Sequence, residues 1–498
     1  MRLPTGHCAL LAILTGIAPP ALLAQGPRQS HPPYAIVDTG QVRCYDARRE
    51  TPYPAHGSPF FGQDAQYAGH EARYEVLDDD TVSDLVTGLT WTRDPGPKQT
   101  FREAAAGAGE CRAGGHQDWR LPSIKELYSL ILFSGQDLGP ADDGSPYARP
   151  FIDTEAFSFS YGDPRQGERP IDSQWATSTR YVGTTMHGNE TMFGVNFADG
   201  RIKGYPTGGM PGRGEKTFYA IYVRGNPRYG RNDFVDNEDG TVTDRATGLT
   251  WMKQDSGHMK GGPERDGAMN WEQALAFAES LDHAGKRDWR LPNAKELQSI
   301  VDYERSPDTT GSAAIDPIFE VSTIAAEDGK QEYPFYWTST THASRRSGSA
   351  AVYVAFGRGT GWMGPRRGRQ GPVKPELLDV HGAGCQRSDP KAGDPADFSQ
   401  GRGPQGDVIR INNYVRCVRG GEATPRTEGP ALLEVPPPDR RPPPGGRPPP
   451  GGPPPPDGPP PPDGPPPGRC APPVRPRFPL GQDALPARES AGDGQVVR

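Results

Sequence analysis

Cysteine is scarce in this chain: six in 498 residues, at Cys8, Cys44, Cys111, Cys385, Cys417 and Cys470. No Cys-x-x-Cys pair and no Cys/His spacing of the zinc-binding kind occurs, so a zinc-stapled fold is excluded. Long apolar runs are missing too. The one apolar stretch, residues 8–18, falls short of the ~20 residues that a membrane-spanning helix needs. Positive charge is not in excess. With 55 Lys+Arg against 62 Asp+Glu the formal net charge is -7, the reverse of a general nucleic-acid footprint. Hydrophobic residues make up only 33% and the mean hydropathy is -0.72. Glycine (64) and proline (58) fill the gap. The proline is concentrated late, which leaves the preceding chain closer to ordinary globular composition.

The first 24 residues read as a secretory signal: Arg2, the apolar core 8–18, then Ala21-Leu22-Leu23-Ala24 as a small-residue cleavage site. Cys8 lies inside the apolar core and not after the cleavage site, which argues against a lipid anchor. The expected location is therefore periplasmic, secreted or on a bacterial surface. Export leaves five cysteines, an odd number. Cys385 with Cys417, both late in the chain, is the first expected bridge, and Cys44 with Cys111 the second. Cys470 stands alone in the 422–498 tail. There PPPDRRPPPGGRPPPGGPPPPDGPPPPDGPPPGRC cannot bury a core and reads as a disordered spacer sampling polyproline II. It lacks the glycine at every third residue that collagen requires.

What the chain does have is a repeat. DDDTVSDLVTGLTWTR around Thr81 returns as EDGTVTDRATGLTWMK around Thr241, and HQDWRLPSIKELYSLI returns as KRDWRLPNAKELQSIV. A unit this long is a duplicated domain, because solenoid repeats run to roughly 20–50 residues. The copies span 73–226 and 233–421, with a short insertion before the second copy's first helix. A leader, 25–72, is expected to pack on the first copy.

Local signals agree between copies. TVSD…TGLTW and TVTD…TGLTW read as hairpins. NWEQALAFAESLDHAG predicts a helix with Leu275, Ala278 and Leu281 on one face and Gly285 as its stop. FREAAAGAGECRAGG is its weaker counterpart. DWRLP reads as a strand closed by proline. Ser123-x-x-Glu126 and Asn293-x-x-Glu296 are capping boxes opening a second helix. Glycine-rich strands follow, ending in FYAIYVRGN and INNYVRCVRGG. Two helices and a mainly antiparallel sheet per copy predict an α+β fold.

GTVTDRATGLTW, DWRLPNAKELQSIV, YWTSTTH and YVRCVRG, with TVSDLVTGLTW, DWRLPSIKELYSLI, WATSTRYVG and IYVRG in the first copy, resemble the signature blocks of the Lcl C-terminal domain family. That domain ends the collagen-like adhesins of Legionella. The resemblance implies tandem C-type-lectin-like domains, distantly similar to formylglycine-generating enzymes. It also implies binding of sulfated polysaccharide at a cell surface. This chain departs from the adhesins in lacking collagen repeats, carrying two copies and being acidic.

Trp119, Arg120, Trp289 and Arg290 recur at the strand–helix junction. Their simplest role is fold-building, as for Trp91, Trp251, Trp175 and Trp337. Asp236-Asn237-Glu238-Asp239-Gly240 looks like a calcium loop but misaligns with the helix–loop–helix ligand pattern, and Asp-Gly is a turn dipeptide. No metal is assigned, and calcium stays open without a donor set to support it. Arg345, Arg346, Arg366, Arg367 and Arg369 are the densest basic cluster and suit sulfate oxygens. Segment 361–412 has little periodicity for its length, which draws attention to Asp379, His381, Arg387 and Asp389. Two function classes follow. The first is an exported, non-enzymatic protein binding polysaccharide or another envelope component. The second is a formylglycine-generating-type enzyme, which needs a reactive cysteine pair. A purely structural envelope protein is the third reading.

Overall fold

Each copy is seeded by the same turn. In the first, β1 (Tyr74–Val76), β2 (Thr81–Asp84) and β3 (Leu89–Thr92) form an antiparallel meander. Asp84 Oδ1 accepts the backbone N–H groups of Val86 (3.0 Å) and Thr87 (3.1 Å), and Gly88 turns the chain at φ 70°. The second copy repeats this at Asp244, which accepts Ala246 N at 3.0 Å and the Thr247 hydroxyl at 2.9 Å. A carboxylate mimicking a backbone turn explains why TxxDxxTG recurs as hairpin chemistry. In this computed structural model residues 34–138, 149–210, 214–345, 347–364 and 375–431 are described. The expected signal, 1–24, and the polyproline stretch lie outside them. No helix among the described residues is long and apolar enough to cross a membrane.

Both copies then follow the expected order. In the first come α1 (Phe101–Glu110), α2 (Ile124–Tyr128), β4 (Gln174–Trp175), β5 (Thr191–Asn196), β6 (Arg201–Pro206) and β7 (Val223–Gly225). The second has β8 (Phe234–Asp236), β9 (Thr241–Asp244), β10 (Leu249–Met252), α3 (Trp271–Glu279) and α4 (Ala294–Ser299). Its strands continue with β11 (Phe335–Thr341), β12 (Ala350–Ala355), β13 (Thr360–Met363), β14 (Glu376–Asp379), β15 (Gln386–Pro390) and β16 (Val418–Gly420). All four helices open on capping boxes: Thr100 with Glu103, Ser123 with Glu126, Asn270 with Gln273, and Asn293 with Glu296. Two of these were legible beforehand. α3 stops at Glu279, short of the expected Gly285, which instead sits at φ 67° in the tight turn closed by His283 and Lys286. DWRLP makes only one ladder pair per copy, Arg120 with Val223 and Arg290 with Val418, because the proline that follows has no N–H to continue it.

Two four-stranded sheets, β7-β3-β2-β1 and β8-β9-β10-β16, belong to single copies. The third sheet does not. Its order is β11-β12-β15-β6-β5-β4, three strands from each copy, joined where Ile202 pairs Gln386. By sequence β13 matches β6. Yet β13 pairs with β14 outside this sheet, and β15 takes the vacated place beside β12. The copies are siblings in sequence with a shared interior: one apolar cluster contains Trp91 and Trp175 together with Trp251, Trp289 and Trp337. The tandem domains are thus joined through one sheet and one apolar cluster.

The leader also lands differently from expectation. Gln41 exchanges two hydrogen bonds with the backbone of Thr341, Asp64 accepts the Thr340 hydroxyl at 2.6 Å, and Lys391 donates to Asp46 O at 3.1 Å. It is wedged between the copies, with most polar contacts to the second. The expected disulfides are absent: Cys44, Cys111, Cys385 and Cys417 are all free. Cys385 abuts β15 in the joint sheet, whereas Cys417 abuts β16 in the second copy's own sheet. Cys44 stands in a leader strand near Lys391, whereas Cys111 caps α1.

Candidate functional site

The recurring Trp–Arg junctions are internal braces. Trp119 Nε1 donates to Ala113 O and Trp289 Nε1 to His283 O, both at 3.1 Å. Arg290 forms two 2.6 Å bonds to the Glu296 carboxylate and reaches Gly420 O at 3.2 Å, tying the α4 cap to the closing strand. Arg120 pairs with Glu126 in the same way. Trp91, Trp175, Trp251 and Trp337 are fully buried.

Asp379, His381 and Arg387 come together inside the protein, not on a rim. Asp407 is their hub, accepting from His381 Nε2 at 2.8 Å and from Arg387. Burial alone would raise the Asp407 carboxyl, but Arg387 and His381 outweigh it and hold it well below the carboxylate range. Burial and the Arg387 charge push His381 down to about 4. Asp379 accepts the Tyr181 hydroxyl of the first copy at 2.7 Å, and burial pushes it up to about 7. These groups pair largely with one another and with Tyr181, though His381 Nδ1 and Arg387 Nη1 are buried without partners among the described residues. The Tyr181–Asp379 bond ties this part of the second copy to the first. Arg345 lies half-buried just after β11. Arg346, Arg366, Arg367 and Arg369 lie outside the described residues.

An open concavity lies elsewhere on the second copy. A groove of about 650 Å³ is lined by the aromatic Trp362, Phe398 and Tyr414 and the charged Asp266, Glu327 and Arg410. All three aromatics are half-buried. Its base is a stack: the Arg410 guanidinium lies 3.8 Å over Phe335, whose ring lies parallel to Tyr353 at 4.5 Å. Glu327 grips Arg410 at 2.8 and 3.3 Å. Below, Asp389 Oδ2 accepts the N–H groups of Arg410 (3.0 Å) and Ile411 (3.2 Å). This clamp holds Ile411 at φ 61°. Left-handed backbone is costly for a β-branched residue and clusters at binding sites. Arg410 Nη1, Asp389 Oδ1 and Asn413 Oδ1 are buried without partners among the described residues, so solvent or ligand groups are needed there.

The first copy differs at the matching aromatic. Tyr219, the counterpart of Tyr414, is covered by the Lys98 ammonium at 5.2 Å, tethered in turn to Glu168 and to Asp172 O, both at 2.6 Å. In the second copy the insertion before α3 replaces that lysine and delivers Asp266. Beside the groove, Ser322, His258 and Asp255 meet, a grouping missed from sequence. His258 Nδ1 faces both Asp255 Oδ1 (3.1 Å) and Ser322 Oγ (3.0 Å), while Ser322 donates to Asp255 at 2.6 Å. No imidazole relays between hydroxyl and carboxylate, so the geometry is not a nucleophile triad. No group of three or more metal-ligating side chains occurs among the described residues. In the acidic loop, Asp236 is paired with Lys253 at 2.6 Å and Asp239 is turned onto Thr241.

The family model of the Lcl C-terminal domain matches residues 80–224 and 240–374, more than half of the chain. The chain belongs to the Lcl C-terminal domain family. Comparisons with curated proteins and with solved structures give no match. The Lcl match ends before Phe398, Arg410 and Tyr414. Half of the groove therefore comes from chain that the Lcl model does not describe.

Proposed function

We propose that this protein is an exported, non-enzymatic binding protein that recognises polysaccharide through the aromatic groove of its second Lcl domain. The observation that carries this reading is the combination of Trp362, Phe398 and Tyr414 on one open groove of about 650 Å³ with a rigid, charged base. Aromatic faces pack against the C–H faces of pyranose rings, and neighbouring polar groups fix their hydroxyls. The leading 24 residues support export, and the family resemblance supports a lectin-like surface role. Against the formylglycine-generating alternative stands the state of the thiols. Burial raises Cys385 and Cys417 far above the ordinary thiol range and Cys44 to about 12, which keeps them protonated and poorly nucleophilic. A glycan array probed with the purified protein tests the reading. Binding should be selective, and Trp362→Ala should weaken it by about tenfold or more, the usual cost of removing an aromatic anchor. Silence across the array, or binding untouched by Trp362→Ala and Tyr414→Ala, would favour a purely structural envelope role.

A further inference from the structure

The charge of the groove narrows the class of glycan. Three charged side chains line it, and two of them cancel. Arg410 is held by both Glu327 oxygens, its side chain is largely covered, and its flat face is occupied by Phe335. With Nε and Nη2 given to Glu327 and the unpartnered Nη1 buried, the guanidinium presents no free pair of donors to a sulfate. Asp266 is different. It is exposed and has no ion-pair partner among the described residues; its one contact is the Ala268 N–H on Oδ1 at 3.0 Å. Its neighbour Gly267 lies so close to Tyr414 that a β-carbon there would stand 2.8 Å from the ring edge, and Asp266 lines the same groove as Tyr414 and Trp362. The same proximity shows in Tyr414, pushed up to about 12 by burial first and then by Asp266. A lone carboxylate sharing a groove with tyrosine and tryptophan rings is an environment that suits a primary ammonium, because both the charge and the ring quadrupoles attract it.

We infer that the groove is built for a glycan carrying free amino groups, a polymer of partly deacetylated hexosamine, with Asp266 receiving a sugar ammonium and Trp362 and Tyr414 its ring. This runs opposite to the sulfated ligand that the family resemblance implies. It rests on the groove being the polysaccharide site.

The test compares three oligosaccharides against the full chain by titration calorimetry in mildly acidic buffer: a β-1,4-glucosamine hexamer, its fully N-acetylated counterpart, and a heparin hexamer. The free-amine oligomer should bind about tenfold tighter than the acetylated one, the scale of one charge-assisted hydrogen bond. Asp266→Asn, which keeps the oxygen that Ala268 uses, should collapse that ratio towards one. Equal binding of amine and acetyl forms, or tighter binding of heparin, overturns the inference. The groove reading survives that result if Trp362→Ala still abolishes the binding. No binding by any of the three also overturns the inference, and the wider array then decides the polysaccharide reading separately.

Discussion

Lys125 and Lys295 hold the same place in the matched helices α2 and α4, and each donates to the end of the other's helix. Lys125 Nζ reaches Ser299 O at 2.7 Å, and Lys295 Nζ reaches Ser129 O at 2.8 Å. Ser129 caps α2 and Ser299 ends α4, so each ammonium meets a carbonyl that its own helix leaves open. Such reciprocity is the signature of a two-fold, self-complementary contact, here built within one chain.

The pair sets a pH dependence. Burial pushes Lys295 down to about 7 and Lys125 to about 8, from an ordinary value of 10.5. Across that window the unfolded chain binds protons that the folded chain refuses. Their contribution to stability therefore rises with pH between about 7 and 10.5, by up to ~1.4 kcal/mol per pH unit for each lysine. Buried Lys203 and Lys391 act in the same sense and the buried thiols in the opposite sense above about 9. Urea melts at intervals between about pH 7 and 9 should therefore show a positive slope that a Lys125→Met/Lys295→Met double variant reduces. Parallel profiles for the two proteins would dismiss the assignment.

Asp379 titrates in the opposite sense. Its folded value near 7 lies above the ordinary 3.8, so the folded chain keeps a proton that the unfolded chain loses. Its contribution is complete in acid and declines as pH climbs from about 4 to about 7. Asp379→Asn should therefore gain stability relative to the parent over that range, by ~1 kcal/mol or more at neutral pH. A constant difference at all pH values would show that the carboxyl is not held protonated by burial.

The two arginine braces are equivalent in sequence but not in cost. The Arg290 side chain is 7% exposed and Arg120 is 34% exposed. Removing Arg290 strands a buried Glu296 carboxylate, which costs ~3–5 kcal/mol. Glu126 is as covered, at 6%, but the exposed side of Arg120 lets water take the place of the lost guanidinium, so that loss costs less. Arg290→Ala should lower the melting temperature well beyond Arg120→Ala. Equal losses would mean that the brace works by packing alone.

Thiol labelling separates the free cysteines from the expected bridges. In a Cys470→Ser background, a maleimide should label Cys111 in the native state and Cys44, Cys385 and Cys417 only after unfolding, without reductant. A requirement for reductant at Cys385 and Cys417 would restore their disulfide.

How far the fold could be read beforehand followed the range of the interactions. Asp84 and Asp244 act within three residues, and so do the capping boxes at Ser123 and Asn293; both left sequence signatures. The β6–β15 seam left none, because β13 carries the matched pattern and the insertion 364–385 displaces it. Irregularity in 361–412 pointed to the right region but favoured titratable residues. Arg387 turned inward because Asp407 complements its charge, His381 because it hydrogen-bonds the same carboxylate, and Asp379 because Tyr181 and the Gly382 N–H satisfy it. The groove aromatics went unnoticed because Trp362, Phe398 and Tyr414 sit on a strand, a 3-10 turn and an irregular segment, with no shared period.

The shared interior makes a last prediction about the halves. Residues 34–226 alone would keep β4, β5 and β6 but leave the β6 edge unpaired and Tyr181 without Asp379. Residues 233–431 alone would lose the leader that satisfies Thr340, Thr341 and Lys295, and the Ser129 carbonyl that Lys295 caps. An exposed apolar strand edge invites aggregation, and each orphaned buried donor costs ~1–3 kcal/mol, a large share of a domain's ~5–15 kcal/mol stability. Neither half should therefore melt cooperatively by itself, while the two co-expressed should co-elute and melt near the intact chain. A second half that melts alone at the intact protein's temperature would mean that the joint sheet merely abuts two independent folds.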